Sequence, residues 1–214
     1  MIRTYNMLGK RPERKAEQLV PRLVDHEVRR REITDAVRRV IVSGGLEGVT
    51  FQSVAAEAGI SVRLVQYYFG TKNEFLLATH RSVMEDAGVR FGERLAAHSD
   101  AAPREAIRTV LTELLPLDDR RREEAIVLGA FNSAAIVGRG LAAEETHAAP
   151  RALVTIVTHH LRRAGNPDGT TDLDAELVLA AVGGLAQGML SGVYTEERAV
   201  ELVDHLLERT LHHS

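Results

Sequence analysis

Arg63 and Gln66 carry planar side chains that can form paired hydrogen bonds, a guanidinium that donates and a carboxamide that both donates and accepts. Both lie in the stretch Thr50 to Lys72, TFQSVAAEAGISVRLVQYYFGTK. Its spacing is that of two helices joined by a tight turn. Ala55 is small where the second helix must cross closely, Gly59 falls four residues later at the turn, and Val65 stands six further on as a buried anchor. Val54 and Ile60 supply the remaining apolar contacts. A bulky residue at 55 or a non-glycine at 59 would strain the steep crossing.

The elements that must hold this segment are helical throughout. Asp25 can cap a first helix running to about Ser43, with Ile33, Ala36, Val37, Val40 and Ile41 on one face of a 3.6-residue period and Gly44-Gly45 at its end. Thr50 and Ser61 cap short helices over 51–58 and 62–69. Longer helices are expected over 72–95, 103–115, 121–138, 141–164, 173–193 and 196–211, with Asn166-Pro167-Asp168-Gly169 as a turn. Residues 1–24, polar and broken by Pro12 and Pro21, are expected to form a mobile basic arm. Nothing reads as a strand.

Composition agrees. The 214 residues are 44% hydrophobic but only 4% aromatic, without Trp, so the core must be built from Leu, Val, Ile and Ala. The absence of Cys excludes disulfides, a Cys-based zinc site, an iron–sulfur cluster and a cysteine nucleophile. Charge is divided: residues 1–72 carry a net +5 and residues 73–214 a net −8. A basic head on an acidic body points to a polyanionic partner for the head alone. The longest uncharged apolar stretch, Leu177–Val193, falls just short of a membrane span and reads as a buried helix.

The segment resembles the DNA-binding domain of the TetR family of bacterial transcription regulators. It gives in order the Ser61, Tyr67, Tyr68, Phe69, Thr71 and Lys72 of that family's signature, behind a helix that ends in Gly-Gly. The wording VQYYFGTK and the start VDHEVRRREITDA are most similar to the branch of choline-responsive betaine regulators. The resemblance implies an all-α chain. Its parts would be a three-helix helix-turn-helix DNA-binding domain over 25–85, and a helical ligand-sensing and dimerisation domain over 86–214. It further implies a homodimer on an inverted-repeat operator, a small-molecule effector, repression and a cytoplasmic location, with no cofactor and no membrane.

On the recognition helix so implied, Ser61, Val62, Arg63 and Gln66 face the bases, and Gln66 stands where the family more often has an aromatic. Thr50 and Gln52 open the preceding helix, whose N-terminus attracts phosphate. Tyr67 and Lys72 are expected phosphate contacts on the other side. Tyr68 is read equally as contact or core, and Phe69 as core. Arg29, Arg30 and Arg31 are either a solvated face or further phosphate contacts, and Lys10, Arg11, Arg14 and Lys15 either an inert tail or a minor-groove arm.

In the body, Leu173–Val193 is expected to be buried all round, with Ala180, Gly184 and Gly188 forming a flat stripe for a close helix. With the final helix it suits a four-helix interface across a two-fold axis. Phe131, Asn132, Gln187 and Met189 are the candidate effector contacts. No His/carboxylate set has metal-ligand spacing, and neither a phosphate loop, a dinucleotide fingerprint, a nucleophile elbow nor a zincin helix is present, so an enzyme is not expected. The competing reading is a helical protein-interaction module that binds no DNA.

Overall fold

The computed structural model describes residues 19–98, 100–138, 143–166 and 169–211. Within them the chain is all helix: α1 (Leu19–Gly44), α2 (Phe51–Ala58), α3 (Val62–Tyr68), α4 (Lys72–Ala97), α5 (Pro103–Glu113), α6 (Asp119–Ile136), α7 (Ala143–Arg163), α8 (Thr171–Leu190) and α9 (Glu196–Leu211), with one 3₁₀ turn at Leu46–Gly48. α1 starts six residues before the expected cap at Asp25 and takes in Pro21, which the first turn of a helix tolerates. The basic cluster Lys10 to Lys15 lies outside the described residues, as do His212 and His213.

Side-chain caps fix the short helices. Thr50 and Ser53 form a reciprocal capping box on α2, Ser61 accepts from the Leu64 N–H on α3, and Thr71 accepts from the Glu74 N–H on α4. Glu74 reaches back to the Gly70 N–H at 3.1 Å, and Asp118 caps α6 by accepting from the Arg121 N–H at 2.8 Å. Gly59 ends α2 in the left-handed conformation, φ 66° and ψ 30°, and lets the Ile60 N–H bond back to the Ala55 carbonyl at 3.0 Å. Space does not demand glycine here, since nothing lies within 4 Å of where its Cβ would be; the backbone angle does.

Two apolar cores result. The first joins the expected face of α1 (Ile33, Ala36, Val37, Val40, Ile41) to Val54, Ala55, Val65, Phe69 and Phe75, and continues into Val127 and Phe131 of α6. The second gathers Ile107, Val110 and Leu111 of α5, Val157 and Leu161 of α7, Val178 and Val182 of α8, and Val203 and Leu207 of α9. α4 runs unbroken from one to the other. Ion pairs stitch the layers together: Arg90 of α4 bonds Glu113 of α5 and Glu124 of α6, each at 2.6 Å, and Arg108 of α5 bonds Asp204 of α9 at 2.6 Å.

One expectation needs correction. α8 is not buried all round in the single chain: Leu173 and Leu177 are 61% and 69% exposed, and Ala180, Ala181 and Gly184 lie open with them. The other face, with Ala175, Val178, Val182 and Met189, enters the core. By length and composition α8 would also pass as a membrane span, but its buried face packs against α7 and α9. Nor is the small-residue stripe one surface. Gly188 is covered by the ring of Tyr194 from the chain's own α8–α9 turn, while nothing comes within 4 Å of a Cβ built at Gly184.

Candidate nucleic-acid interface

The first core points one side of α3 inward and leaves the other in solvent. Val65 is fully buried, and Val62 and Leu64 are half-buried at its margin. Ser61, Arg63, Gln66 and Tyr67 are exposed, and 63, 66 and 67 share a face because residues three and four apart align on a helix. Tyr67, at 73% exposure, is the most solvent-exposed aromatic among the described residues. A seven-residue helix presenting Arg, Gln and Tyr outward has the size and chemistry to enter a major groove.

The expected contacts separate into two kinds. Arg63, Gln66 and Tyr67 come together on the open face of α3, and Gln52 is exposed on the first turn of α2. Thr50 and Ser61 have their hydroxyl oxygens engaged in capping, so their main work is to hold α2 and α3 in shape. Val62 is half-buried and packs against the first core. Tyr68 is half-buried, with His26 at 4.7 Å and Tyr67 edge-on at 5.2 Å, and Phe69 is wholly buried. Lys72 is half-buried at the first position of α4, beside a groove shared with Glu47.

The three arginines of α1 diverge. Arg29 pairs with Glu32 on its own helix. Arg30 donates to the Tyr68 carbonyl at 2.6 Å and lies over the Phe69 ring, 4.1 Å from its centroid. Arg31 bonds Asp86 of α4 at 2.7 Å, and Arg38 bonds the other Asp86 oxygen at 2.8 Å. Partial burial by itself would raise the Asp86 carboxyl, but the hydrogen bonds from Arg38 and Arg31 hold it below the ordinary aspartate value. Sequence reading saw the charge of this run and missed its directions. The helical step of 100° per residue is the signal that Arg30 and Arg31 serve different neighbours.

A cavity of about 380 Å³ opens among α4, α5, α6 and α7. His80, Met84, Gly88 and Phe91 line it from α4, Leu114 from the end of α5, Leu128 and Asn132 from α6, and Leu153 and Ile156 from α7. Arg90 and Glu113 form its polar edge, with Glu113 held also by Arg94 and Arg121 at 3.4 Å each. The four expected effector contacts are not brought together. Asn132 lines the cavity; Phe131 sits behind it in the first core, edge-on to His80 at 5.2 Å. Met189 is buried in the second core, and Gln187 is exposed beside Gly129. The spacing His80, Met84, Gly88, Phe91 along α4 was the available signal. Among the described residues no group of three or more His, Asp or Glu is placed to hold a metal ion.

A capped two-helix unit with a short, outward-facing recognition helix, carried on an all-helical body with a cavity, is a helix-turn-helix DNA-binding regulator. Known families agree: the family model for bacterial regulatory proteins of the tetR family matches residues 33–79, and that for the C-terminal part of BetI-type transcriptional repressors matches residues 103–212. The chain belongs to the TetR family of transcriptional regulators and is not an enzyme. It is similar to the regulator PksA of Bacillus subtilis, 29% identical over 188 residues that cover 86% of this chain and 90% of PksA. It is also 44% identical to the regulator BetI of Burkholderia mallei over 92 residues, 43% of this chain and 47% of BetI. Among solved structures, a transcriptional regulator of Rhodococcus sp. RHA1 superposes with a TM-score of 0.72 at 28% identity, over 85% of this chain and 95% of that one. A regulator of Saccharomonospora viridis solved in complex with choline superposes with a TM-score of 0.71 at 21% identity, over 88% of this chain and 97% of that one.

Proposed function

We propose that this regulator is a homodimeric repressor of the cytoplasm that binds an inverted-repeat operator and releases it when a small molecule fills the α4–α7 cavity. The division of labour would be residues 25–85 for DNA and 86–214 for sensing and dimerisation. The observation that carries the reading is α4, one helix that begins with Lys72 beside α3 and forms a cavity wall from His80 to Phe91. Filling the cavity can therefore shift the equilibrium between operator-competent and incompetent arrangements.

In this reading Arg63 and Gln66 read base edges, and Tyr67, Lys72, Gln52 and the N-terminus of α2 hold phosphates. The open apolar face of α8, Leu173, Leu177, Ala180, Ala181 and Gly184, supports a two-fold interface, because a patch of that kind is seldom left in water. The effector would be a largely apolar molecule whose polar end meets Asn132 or the Arg90–Glu113 edge. Choline, bound by the Saccharomonospora relative, is the first compound to try.

The test is fluorescence anisotropy of the purified protein on the DNA flanking its own gene, across a salt series with random DNA as control. Binding to that DNA several orders of magnitude tighter than to the control, and weakened by one of a set of screened ligands, is the expected result. Equal affinity at every salt concentration for random DNA, for the flanking DNA and for duplexes recovered from a random pool by the protein would remove the operator-binding reading.

A further inference from the structure

We infer that Arg30 is a positioning residue for sequence reading: it sets the angle of the recognition helix from behind and holds no phosphate. The inference rests on the DNA-binding reading of α3. It departs from both readings of the arginine run, a solvated face and a set of phosphate contacts.

The geometry supports it at each step. α3 has only seven residues, so its last carbonyls form a large share of its backbone groups, and they lack intrahelical donors. Arg30 donates to one of them, the Tyr68 carbonyl, at 2.6 Å, and its charge lies at the negative end of the helix dipole. The same guanidinium covers the Phe69 ring at 4.1 Å, and Phe69 is fully buried against Phe75. Phe69 and the Tyr68 carbonyl together fix the C-terminal end of α3 in two directions. These contacts take up Nη1 and one face of the guanidinium and turn the side chain toward the end of α3, leaving only its remaining N–H groups to serve anything else.

The next residue faces the other way. Arg31 and Arg38 share the two oxygens of Asp86, and Arg38 also bonds Ser82 at 2.7 Å. Asp86 lies between Met84 and Ala87, both of which line the cavity. α1 is thus tied to the recognition helix by Arg30 and to the cavity wall by Arg31 and Arg38. The orientation of α3 relative to α4 depends on the first of these ties.

The experiment compares wild type, Arg30→Ala and Arg30→Lys on a duplex selected from random DNA by the wild-type protein, and on a scrambled duplex of equal length. Each is titrated by anisotropy over a salt series. For Arg30→Ala the expected result is roughly a tenfold loss on the selected duplex, the scale of one hydrogen bond to a charged group, with scrambled binding unchanged. The dependence of log K on log salt should also keep the wild-type slope on both duplexes. Arg30→Lys should recover part of the loss, since an ammonium can donate to the Tyr68 carbonyl but has no flat face for Phe69. A slope shallower by about 0.9 for each protomer bound, on both duplexes, would make Arg30 a phosphate contact and overturn the inference. So would unchanged affinity for the selected duplex. If Arg30→Ala is unfolded by circular dichroism, Arg30→Lys and Arg30→Gln decide between the same outcomes. Failure of the wild type to prefer any selected sequence would instead remove the DNA-reading function, and would be seen before any variant is made.

Discussion

The ring of Tyr194 lies directly against Gly188, so that a Cβ at position 188 would overlap Cδ2 and stand 2.6 Å from Cε2. The backbone follows suit: the N–H groups of Val193 and Tyr194 both bond the Gly188 carbonyl, at 2.8 and 3.3 Å. Gly188 is therefore the seat of the α8–α9 turn. Gly188→Ala should cost about 1–3 kcal/mol, the usual range for overpacking. Replacing Tyr194 with Ala in the same chain should recover part of it. Chemical denaturation of the two single variants and the double variant measures the coupling, and additive losses would mean that the ring does not rest on Gly188 in solution.

Arg63 and Lys72 should fail in different ways. Arg63→Ala is expected to relax base preference at one symmetric pair of operator positions, at a cost of roughly 1–3 kcal/mol per half-site. Lys72→Ala is expected to weaken all DNA alike and to lower the salt slope by about 0.9 for each phosphate no longer neutralised. Selection from random DNA and anisotropy over a salt series separate the two. A lowered slope with intact base preference for Arg63→Ala would turn it into a backbone contact.

Leu177 is more exposed than any other large apolar residue of α8. Leu177→Glu should leave the monomer folded, because the side chain touches little of its own core, yet prevent two α8 faces from meeting. Sedimentation should then show a monomer with wild-type helicity, and operator binding should fall with it because one short helix reads too few base pairs alone. A dimer that survives Leu177→Glu places the interface elsewhere.

Acid should loosen the tie between α1 and α4 within a definite window. The folded Asp86 carboxyl holds its proton less tightly than the unfolded one, since Arg38 and Arg31 outweigh the opposing effect of burial. Its contribution to stability is thus complete above the ordinary aspartate value, near pH 4, and disappears as pH falls through the lower folded value. Thermal unfolding of wild type and Asp86→Asn over a pH series should show a gap that is constant from about pH 5 to 8 and closes in acid. A gap that varies between pH 6 and 8 would mean that another group controls this contact.

Much of the DNA-binding head was legible because local rules and global packing agree there. Thr50, Gly59, Ser61 and Val65 each carry a residue-specific signal, and each does in the structure what its type allows. The divergence of Arg30 from Arg31 was not legible, because charge composition carries no direction until the register of α1 against α3 and α4 is known. Gln187 and Met189 mislead for a similar reason. They stand two apart on α8, so the helical turn sends one to solvent and the other into the second core. The open side of α8 has a different origin. Hydropathy records that a helix is apolar, but not whether its own chain or a second one supplies the cover.

The unbroken course of α4 has a mechanical meaning. From Gly88 in the cavity wall to Lys72 beside the recognition helix lie sixteen residues of continuous helix, roughly 24 Å at 1.5 Å per residue. Pivoted at the cavity, such a rod turns a tilt of about 5° into a displacement on the order of 2 Å at its far end. Hydrogen bonds to base edges tolerate a few tenths of an ångström in length. In the proposed reading the helix would have a gain: a movement no larger than a rotamer change around a bound molecule would exceed the positional tolerance of the DNA contacts several-fold, with nothing in the head needing to unfold.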